Sequence, residues 1–178
     1  HGEYKANDIV KVRGTISQYN GADQLRIERI RLAVPADNIK TEDLVRTSGY
    51  SSEQMYAELL NIANSFSDGD LKLIVTTILE ENRKPLLYWP AAYKLHHAVR
   101  GGLLMHTLSI ARLCEGVCAV YPFIDRDLLL SGAILHDIAK IQEFNVNDAG
   151  VAEGYTVEGN LLGHLTMGAN YIDRVAEK

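Results

Sequence analysis

The apolar residues of this chain change their spacing once, near Val34-Pro35, and that change limits the folds open to it. Before this point apolar and polar residues alternate, as they do in a β-strand with one buried face. After it apolar residues recur every three or four positions, which is the pattern of helices that bury one face. The sequence therefore predicts a mainly α fold that is preceded by a short β segment.

The β segment is predicted to be a hairpin. The sequence IVKVRGTISQ (9–18) alternates, Asn20-Gly21 supplies a turn, and QLRIERIRLA (24–33) follows as the return strand. In the return strand the apolar positions change from odd to even numbers, and a one-residue bulge near Glu28-Arg29 accounts for that change. Because a lone hairpin is marginally stable in water, we expect it to pack on the rest of the chain or to be the end of a barrel.

The rest of the chain is predicted to form helices joined by short connections. Residues 35–50 are typical of a linker. The first helix is predicted to begin at Ser51, because the sequence SSEQ (51–54) contains the residues of a capping box. Residues 143–158 contain glycine and Asn-Asp, and predict a loop or a small hairpin. Helices are expected over residues 55–66, 71–83, 103–121 and 126–141, and from Asn160 to the C-terminus.

Composition excludes several classes of protein. With 47% hydrophobic and 23% charged residues, the chain is neither disordered nor collagen-like. Every long apolar stretch is interrupted by His, Ser, Arg or Glu, so none is expected to span a membrane, and the polar N-terminus resembles no secretory signal. Cys114 and Cys118 lie four residues apart in a helical pattern, which predicts reduced buried thiols and a cytoplasmic protein.

The net charge of −5 is divided unevenly along the chain. Residues 1–34 carry six basic and four acidic side chains, whereas residues 35–178 carry 12 basic and 19 acidic ones. Such an asymmetry indicates two units with different tasks. The basic face of the hairpin is either a solvated edge or a nucleic-acid surface, and few aromatic residues accompany it for base stacking. The candidate nucleic-acid-binding residues are Lys11, Arg13, Arg26 and Arg31.

Three histidines lie on three apolar helical segments. His106 interrupts one segment, His136 and Asp137 follow SGAIL in another, and His164 lies within LLGHL. A single histidine on an apolar face is more often a hydrogen-bonded core residue than a ligand. Three of them, one beside an aspartate, favour a site for a borderline divalent ion such as Mn, Fe, Co, Ni or Zn. Helices packed in a bundle can direct such ligands into one interior cleft.

These residues also carry a family resemblance. HDIAK (136–140), with His106 on the preceding helix, resembles the HD-x-x-K pattern of the HD-domain superfamily of metal-dependent phosphohydrolases. The stretches 89–113, 121–141 and 155–165 are similar to the YhaM-type 3′-to-5′ exoribonucleases, in which an OB-fold nucleic-acid module precedes the HD domain. The resemblance covers nearly the whole chain. It implies an HD-domain helical bundle over residues 51–178, a linker over 35–50, and the C-terminal part of an OB-fold over 1–34.

The resemblance also implies roles for individual residues. His106, His136, Asp137 and His164 would be metal ligands, with one or two ions bound, Mn²⁺ being favoured and Fe, Co, Ni, Zn or Mg the alternatives. Asp137 would also orient the attacking water, and Lys140 would offset charge on the phosphate. The interpretation in which Lys140 is a solvent-exposed helix end is left open. Substrate would be contacted by His97, Arg100 and Lys140.

One departure from the family pattern concerns a ligand. The superfamily closes its site with a further aspartate, whereas Asp173, the one aspartate after His164, lies nine residues along the same helix and faces roughly the opposite side. We therefore expect an HD domain that is incomplete at its C-terminus, either in a shortened polypeptide or in one that has lost metal affinity.

Three functions remain open at this point. The first is a metal-dependent 3′-to-5′ exoribonuclease acting on single-stranded RNA, with single-stranded DNA as a further substrate. The second is an HD-domain phosphohydrolase of nucleotides or cyclic nucleotides. The third is a catalytically inactive nucleic-acid-binding protein. A homo-oligomer is compatible with a basic unit joined to an acidic one, although nothing in the spacing requires it.

Overall fold

The computed structural model describes residues 4, 8–39, 51–92, 99–147 and 150–177. The chain divides into two compact units, with the boundary between residues 44 and 45. The N-terminal unit contains a two-stranded ribbon followed by a short 3₁₀ turn at Pro35–Asp37. Most of the predicted linker, residues 40–50, lies outside the described residues.

The ribbon consists of β1 (Val10–Tyr19) and β2 (Ala22–Leu32), which pair antiparallel. Asn20 and Gly21 connect them with φ values of 51° and 78°. A two-residue type I′ hairpin turn requires positive φ at both of these positions. This hairpin and its turn are as the sequence predicts.

The predicted bulge is also present. Arg13 lies opposite Arg29 and Gly14 lies opposite Ile27, so that Glu28 is the extra residue on β2. Gly14 permits this close approach, because a Cβ at that position would lie 2.3 Å from the carbonyl oxygen of Arg26. The bulge brings the odd-numbered and even-numbered apolar residues of β2 onto one face, which confirms the physical reason for expecting it.

The second unit is helical and holds one small hairpin. Three of its helices begin at an N-cap residue whose side chain accepts backbone N–H groups of the first turn: Ser51 for α1, Asp68 for α2 and Asp125 for α5. The elements are α1 (Ser52–Asn64), α2 (Gly69–Glu81), α3 (Arg83–Leu86), α4 (Gly102–Val120), α5 (Arg126–Leu135), α6 (Lys140–Glu143), β3 (Phe144–Val146), β4 (Ala152–Tyr155) and α7 (Val157–Ala176).

The core of this unit lies between α1, α2, α4 and α5. α4 packs against α1 and α5, and α2 contacts both α5 and α7. The largest fully buried side chains include Leu59, Ile78, Leu103, Leu104 and Leu130. The mainly α fold that the sequence predicts is therefore confirmed.

Two of the helix boundaries that differ from the prediction lie next to the candidate site. The helix expected over residues 126–141 ends at Leu135, and residues 136–139 form a turn in which Lys140 N–H bonds to the Asp137 carbonyl. This i to i+3 bond tightens the chain relative to an α-helix. The last helix begins at Val157, three residues before the expected start, because the Thr156 hydroxyl accepts the N–H of Gly159 and caps it.

In the described part of the chain, one helix is long and apolar enough to cross a membrane by length and composition alone. This helix is α4, with a mean hydropathy of 1.4. The polar residues of α4 therefore do not exclude it by this criterion, contrary to the prediction. Core helices meet the same criterion, and α4 packs against α1 and α5. Its two cysteines are free, but they are half-buried and not buried as predicted.

Candidate metal centre

Three predicted ligands come together where α4 passes the end of α5. The Nε2 atoms of His106 and His136 lie 3.3 Å apart, and they lie 3.4 Å and 3.3 Å from Oδ2 of Asp137. One donor atom from each of these three residues can be chosen so that all three atoms lie within 4.8 Å of one another. His106 lies on α4, while His136 and Asp137 lie in the turn that follows α5.

The backbone fixes the orientation of the His136 ring. Its Nδ1 lies 2.9 Å from the carbonyl oxygen of Ala133, so the N–H on that side donates to the end of α5 and Nε2 faces the cluster. The hydrogen bond with Asp137, together with the Ala133 carbonyl, raises the pKa of His136 above its ordinary value, although burial opposes this shift. A ring held in this way presents its second nitrogen as a ligand.

Asp137 is the centre of the arrangement, with a side chain only 6% exposed. Burial by itself would raise the pKa of Asp137, but the hydrogen bonds with His136 and Lys140 outweigh burial and hold that pKa well below its usual range. Its carboxylate is therefore ionised at neutral pH. One oxygen, Oδ2, faces His106 and His136, and the other, Oδ1, lies 3.3 Å from Nε2 of His164.

Lys140 is held beside the same carboxylate. Its Nζ lies 2.8 Å from Oδ2 of Asp137, and its side chain is 16% exposed. The indole N–H of Trp89 donates to the carbonyl oxygen of Lys140 at 2.9 Å and so anchors this turn. The alternative in which Lys140 is a solvent-exposed helix end is therefore wrong, because the lysine is three residues after Asp137 in a tightened turn and points back at it.

His164 joins the cluster from α7, and a residue that sequence reasoning missed holds it there. The Oε1 atom of Glu143 accepts hydrogen bonds from the backbone N–H of His164 at 3.1 Å and from its Nδ1 at 2.9 Å. Glu143 is buried. No local pattern marks it, because its partner is 21 residues away and the two meet only when α7 folds back on α6.

The donor set fits a divalent metal ion. Donor atoms of His106, His136 and the ionised Asp137 lie within 4.8 Å of one another, and a third imidazole, that of His164, faces the other oxygen of Asp137. Such mixed nitrogen and oxygen ligands suit borderline ions. His136 and His164 each have Nδ1 bonded to an acceptor outside the cluster, which leaves Nε2 as the atom that would bind the ion.

The predicted substrate-contacting residues are placed less directly. The guanidinium of Arg100 lies over the ring of Tyr88, 5.4 Å from its centroid, so its observed partner is aromatic. Close to this pair, a Cβ on Gly150 would lie 2.7 Å from the Tyr88 carbonyl oxygen and 3.1 Å from Cγ of Arg100. His97 lies outside the described residues.

An apolar groove of about 490 Å³ opens beside the centre. His106 and His136 form its polar end, and the remaining walls come from α4 and α5. The apolar wall residues are Ile110, Cys114, Leu128, Leu129, Gly132 and Ala133.

In the N-terminal unit, the strand register places the predicted nucleic-acid-binding residues on one face of the ribbon. Lys11 lies opposite Arg31, and Thr15 lies opposite Arg26 on the far side of the bulge. Because alternate residues of a strand share a face, Arg13 and its partner Arg29 belong to the same set. The sequence interpretation omitted Arg29, although its place opposite Arg13 gives it the same exposure to a ligand.

Three of these cations have a carboxylate partner within the ribbon unit: Nε of Arg13 lies 4.0 Å from Oε2 of Glu28, and Lys11 and Arg31 share Asp37. Oδ1 of Asp37 lies 2.7 Å from Nζ of Lys11, and both carboxylate oxygens of Asp37 accept hydrogen bonds of 2.7 Å from the guanidinium of Arg31. The hydrogen bond with Arg31, followed by that with Lys11, holds the pKa of Asp37 well below its usual range. Asp37 thus neutralises part of the charge that directly opposed cations bring together.

The comparisons with known proteins first give a class. Residues 103–178 match the family model described as the HD domain. This range contains all four proposed metal ligands, and the histidines and aspartate of the cluster are those that the HD resemblance predicts. Residues 103–178 are therefore similar to the HD domain, and the mainly α fold preceded by an antiparallel hairpin is confirmed.

The relatives are more specific. The chain is 33% identical over 175 residues to the 3′-5′ exoribonuclease YhaM of Listeria innocua, 35% identical to that of Bacillus licheniformis and 33% identical to that of Bacillus velezensis. Each alignment covers 98% of this chain and 55% of the relative, so the chain spans about half the length of these proteins. No solved structure matches the chain. The resemblance to the YhaM-type proteins is confirmed.

Proposed function

We propose that the chain acts as a metal-dependent 3′-to-5′ exoribonuclease on single-stranded RNA. The observation that carries this proposal is the convergence of ligand atoms from His106, His136 and Asp137 within 4.8 Å of one another. The names of the relatives support the same reaction class and the 3′-to-5′ direction.

His106, His136, Asp137 and His164 would hold one or two divalent ions, with Mn²⁺ favoured over Fe, Co, Ni, Zn or Mg. Bound metal would supply Lewis-acid stabilisation of the phosphate and a water that ionises near neutral pH. Asp137, ionised and buried, orients the attacking water for in-line displacement. Lys140, at 2.8 Å from Asp137, offsets negative charge as it develops on the phosphoryl oxygens.

The ribbon is proposed to guide the substrate. Residues 1–34 would be part of an OB-fold module, residues 35–50 a linker and residues 51–178 an HD domain. Lys11, Arg13, Arg26 and Arg31 would contact RNA phosphates, and Arg29 shares their face. Such contacts are independent of sequence and depend strongly on salt. His97 and Arg100 would contact the substrate nearer the cleavage site.

The remaining parts of the proposal concern context. Single-stranded DNA would be a second substrate, because phosphate contacts do not distinguish the two polymers. The protein is proposed to be cytoplasmic, not attached to a membrane, and able to form a homo-oligomer. A polymeric substrate is favoured over mononucleotides because the ribbon places five basic residues on one face.

The test uses 5′-labelled single-stranded RNA with and without Mn²⁺, and a matched pair of variants. Wild-type protein should give a ladder that shortens from the 3′ end. Asp137→Asn should lose activity by roughly a thousandfold, since a metal contributes several kcal/mol and each 1.36 kcal/mol is tenfold in rate. Asp173→Asn, an exposed aspartate on α7, should retain activity.

Three results would contradict the proposal. Phosphate release from mononucleotides without a ladder would indicate a nucleotide phosphohydrolase. A salt-sensitive gel shift without cleavage would indicate a protein that only binds nucleic acid. Full activity in Asp137→Asn would show that the metal assignment is wrong.

A further inference from the structure

Glu143 has no role in the reaction as proposed, and yet its side chain is buried beside the centre. Among the described residues, Asp137 and Glu143 are the buried acidic side chains. Burying a carboxylate is costly unless it receives hydrogen bonds. Glu143 receives two, both from His164.

A break in α7 makes the first of these bonds available. Gly163 has φ 70° and ψ 157°, a conformation essentially restricted to glycine, and it separates two helical segments within Val157–Ala176. His164 therefore begins a new segment, and the first N–H groups of a helix have no partner within it. Oε1 of Glu143 accepts this N–H at 3.1 Å, and its negative charge also suits the N-terminal end of a helix.

The second bond determines which nitrogen of His164 faces the centre. Nδ1 lies 2.9 Å from the same Oε1, and since a carboxylate only accepts, Nδ1 must carry the proton. Nε2 is then the nitrogen that lies 3.3 Å from Oδ1 of Asp137. Both the position and the tautomer of the imidazole thus depend on one carboxylate oxygen.

The backbone of Glu143 holds the first segment of α7 as well. Its carbonyl oxygen accepts the N–H of Thr156 at 2.9 Å. Gly159 packs so closely that a Cβ there would lie 2.3 Å from this oxygen. The backbone of Glu143 is therefore held against the first segment of α7, while its side chain bonds to the second.

We propose that Glu143 is a positioning residue, whose carboxylate holds His164 with Nε2 presented to the metal centre. The inference rests on the proposed metal-binding function. It assigns to Glu143 no contact with substrate. Residues that orient a metal-binding histidine in this way typically affect affinity about 10- to 100-fold.

The experiment measures Co²⁺ binding by titration, following the visible absorption of the bound ion, which reports on coordination. Glu143→Met replaces the carboxylate with an apolar side chain of similar length, and Glu143→Gln keeps an acceptor oxygen. We expect Glu143→Met to weaken Co²⁺ binding about 10- to 100-fold and Glu143→Gln to weaken it less. Glu158→Gln, which changes an exposed carboxylate in the first turn of α7, should bind as the wild type does.

A double-mutant cycle separates positioning from general damage to the fold. If Glu143 acts through His164, the variant His164→Ala with Glu143→Met should bind Co²⁺ no more weakly than His164→Ala alone. Additive losses in the double variant, or unchanged binding in Glu143→Met, would overturn the inference. If wild-type protein fails to bind Co²⁺, the proposed function fails instead.

A second measurement needs no variant. Long-range ¹H–¹⁵N NMR of the metal-free wild type at mildly alkaline pH identifies the protonated nitrogen of each histidine. We expect His164 to carry its proton on Nδ1. A proton on Nε2 would overturn the inference even if the Glu143→Met protein does not fold.

Discussion

Each of the two units surrounds one aspartate with basic or nitrogen-containing side chains, and the two aspartates differ in what those side chains can do. Asp37 in the ribbon and Asp137 in the helical unit both have side chains 6% exposed and a pKa well below the usual range. Arg31 and Lys11 lower the pKa of Asp37, and both are cations with no lone pair to offer a metal. Asp137 also contacts three imidazoles.

A strongly shifted pKa therefore does not by itself identify a metal site. At Asp37 the shift reflects an ion pair that stabilises the ribbon end. At Asp137 the neighbouring imidazole nitrogens can give up a proton and bind an ion together with the carboxylate. The chemistry of the neighbours distinguishes the two sites.

The units also differ in how their side chains are supported. His106 lies on α4, and His136 and Asp137 directly follow α5, two helices that contribute side chains to the buried core, whereas the apolar residues of the ribbon, such as Ile16 at 76% exposure, lie largely in solvent. Site residues carried on packed elements are held more rigidly than those on an exposed ribbon.

The largest expected effect comes from the core that supports the centre. Leu104 is 0% exposed and lies two residues before His106 on α4. Leu104→Ala should lower the free energy of unfolding by about 2–5 kcal/mol, because it leaves a cavity in a packed core. Ile16→Ala in the ribbon should change it by no more than about 0.5 kcal/mol. Urea unfolding followed by circular dichroism measures both, and equal effects would remove the distinction between the units.

A smaller effect is expected at Asp127 in the helical unit, which like Asp37 is an aspartate with a lowered pKa outside the metal centre. Asp127 accepts the backbone N–H groups of Ser67 at 2.6 Å and Asp68 at 2.9 Å, which ties α5 to the start of α2. The bond from Asp68 is the main cause that lowers the pKa of Asp127. Asp127→Ala should cost about 1–3 kcal/mol at neutral pH, because two N–H groups lose a charged acceptor.

The sign of the pH dependence follows from the lowered pKa of Asp127. The contribution of this carboxylate is fully present above the ordinary aspartate pKa of 3.8 and is lost as the pH falls below it. The stability gap between wild type and Asp127→Ala should therefore narrow on acidification. A gap that widens would contradict this assignment.

The smallest effect concerns the cationic face of the ribbon. The log of the affinity for single-stranded RNA falls linearly with the log of the salt concentration. Arg29→Ala should make this negative slope shallower by about 0.7, the value for one phosphate contact. Fluorescence anisotropy at several salt concentrations measures this slope. An unchanged slope would exclude Arg29 from the interface.

Asp37→Asn tests the same face with the opposite sign. Removing the carboxylate frees Lys11 and Arg31 from their ion pairs, and so RNA affinity and its salt dependence should both rise. A decrease in RNA affinity would show that the ion pairs of Asp37 hold Lys11 and Arg31 in the geometry that binds RNA.

Much of this molecule could be predicted from the sequence. The alternation in β1 and β2, the Asn20-Gly21 turn and the bulge at Glu28 follow from local periodicity and turn chemistry, and the structure contains all three. The set of His106, His136, Asp137 and His164 followed from histidines that interrupt apolar segments and from a family pattern. The predicted end of α5 was wrong. The spacing of apolar residues continues past Leu135, through a turn that i to i+3 hydrogen bonds tighten.

What the sequence determined by itself is therefore the order of the elements and the proposed set of metal ligands, since both depend on residues close together or on a recognisable spacing. Tertiary structure alone decided the pairing of Glu143 with His164, of Asp37 with Lys11, and the stacking of Arg100 on Tyr88. Glu143 and Asp37 each lie more than 20 residues from these partners. A side chain's partner at such a distance depends on how helices and strands pack, and local patterns carry no information about it.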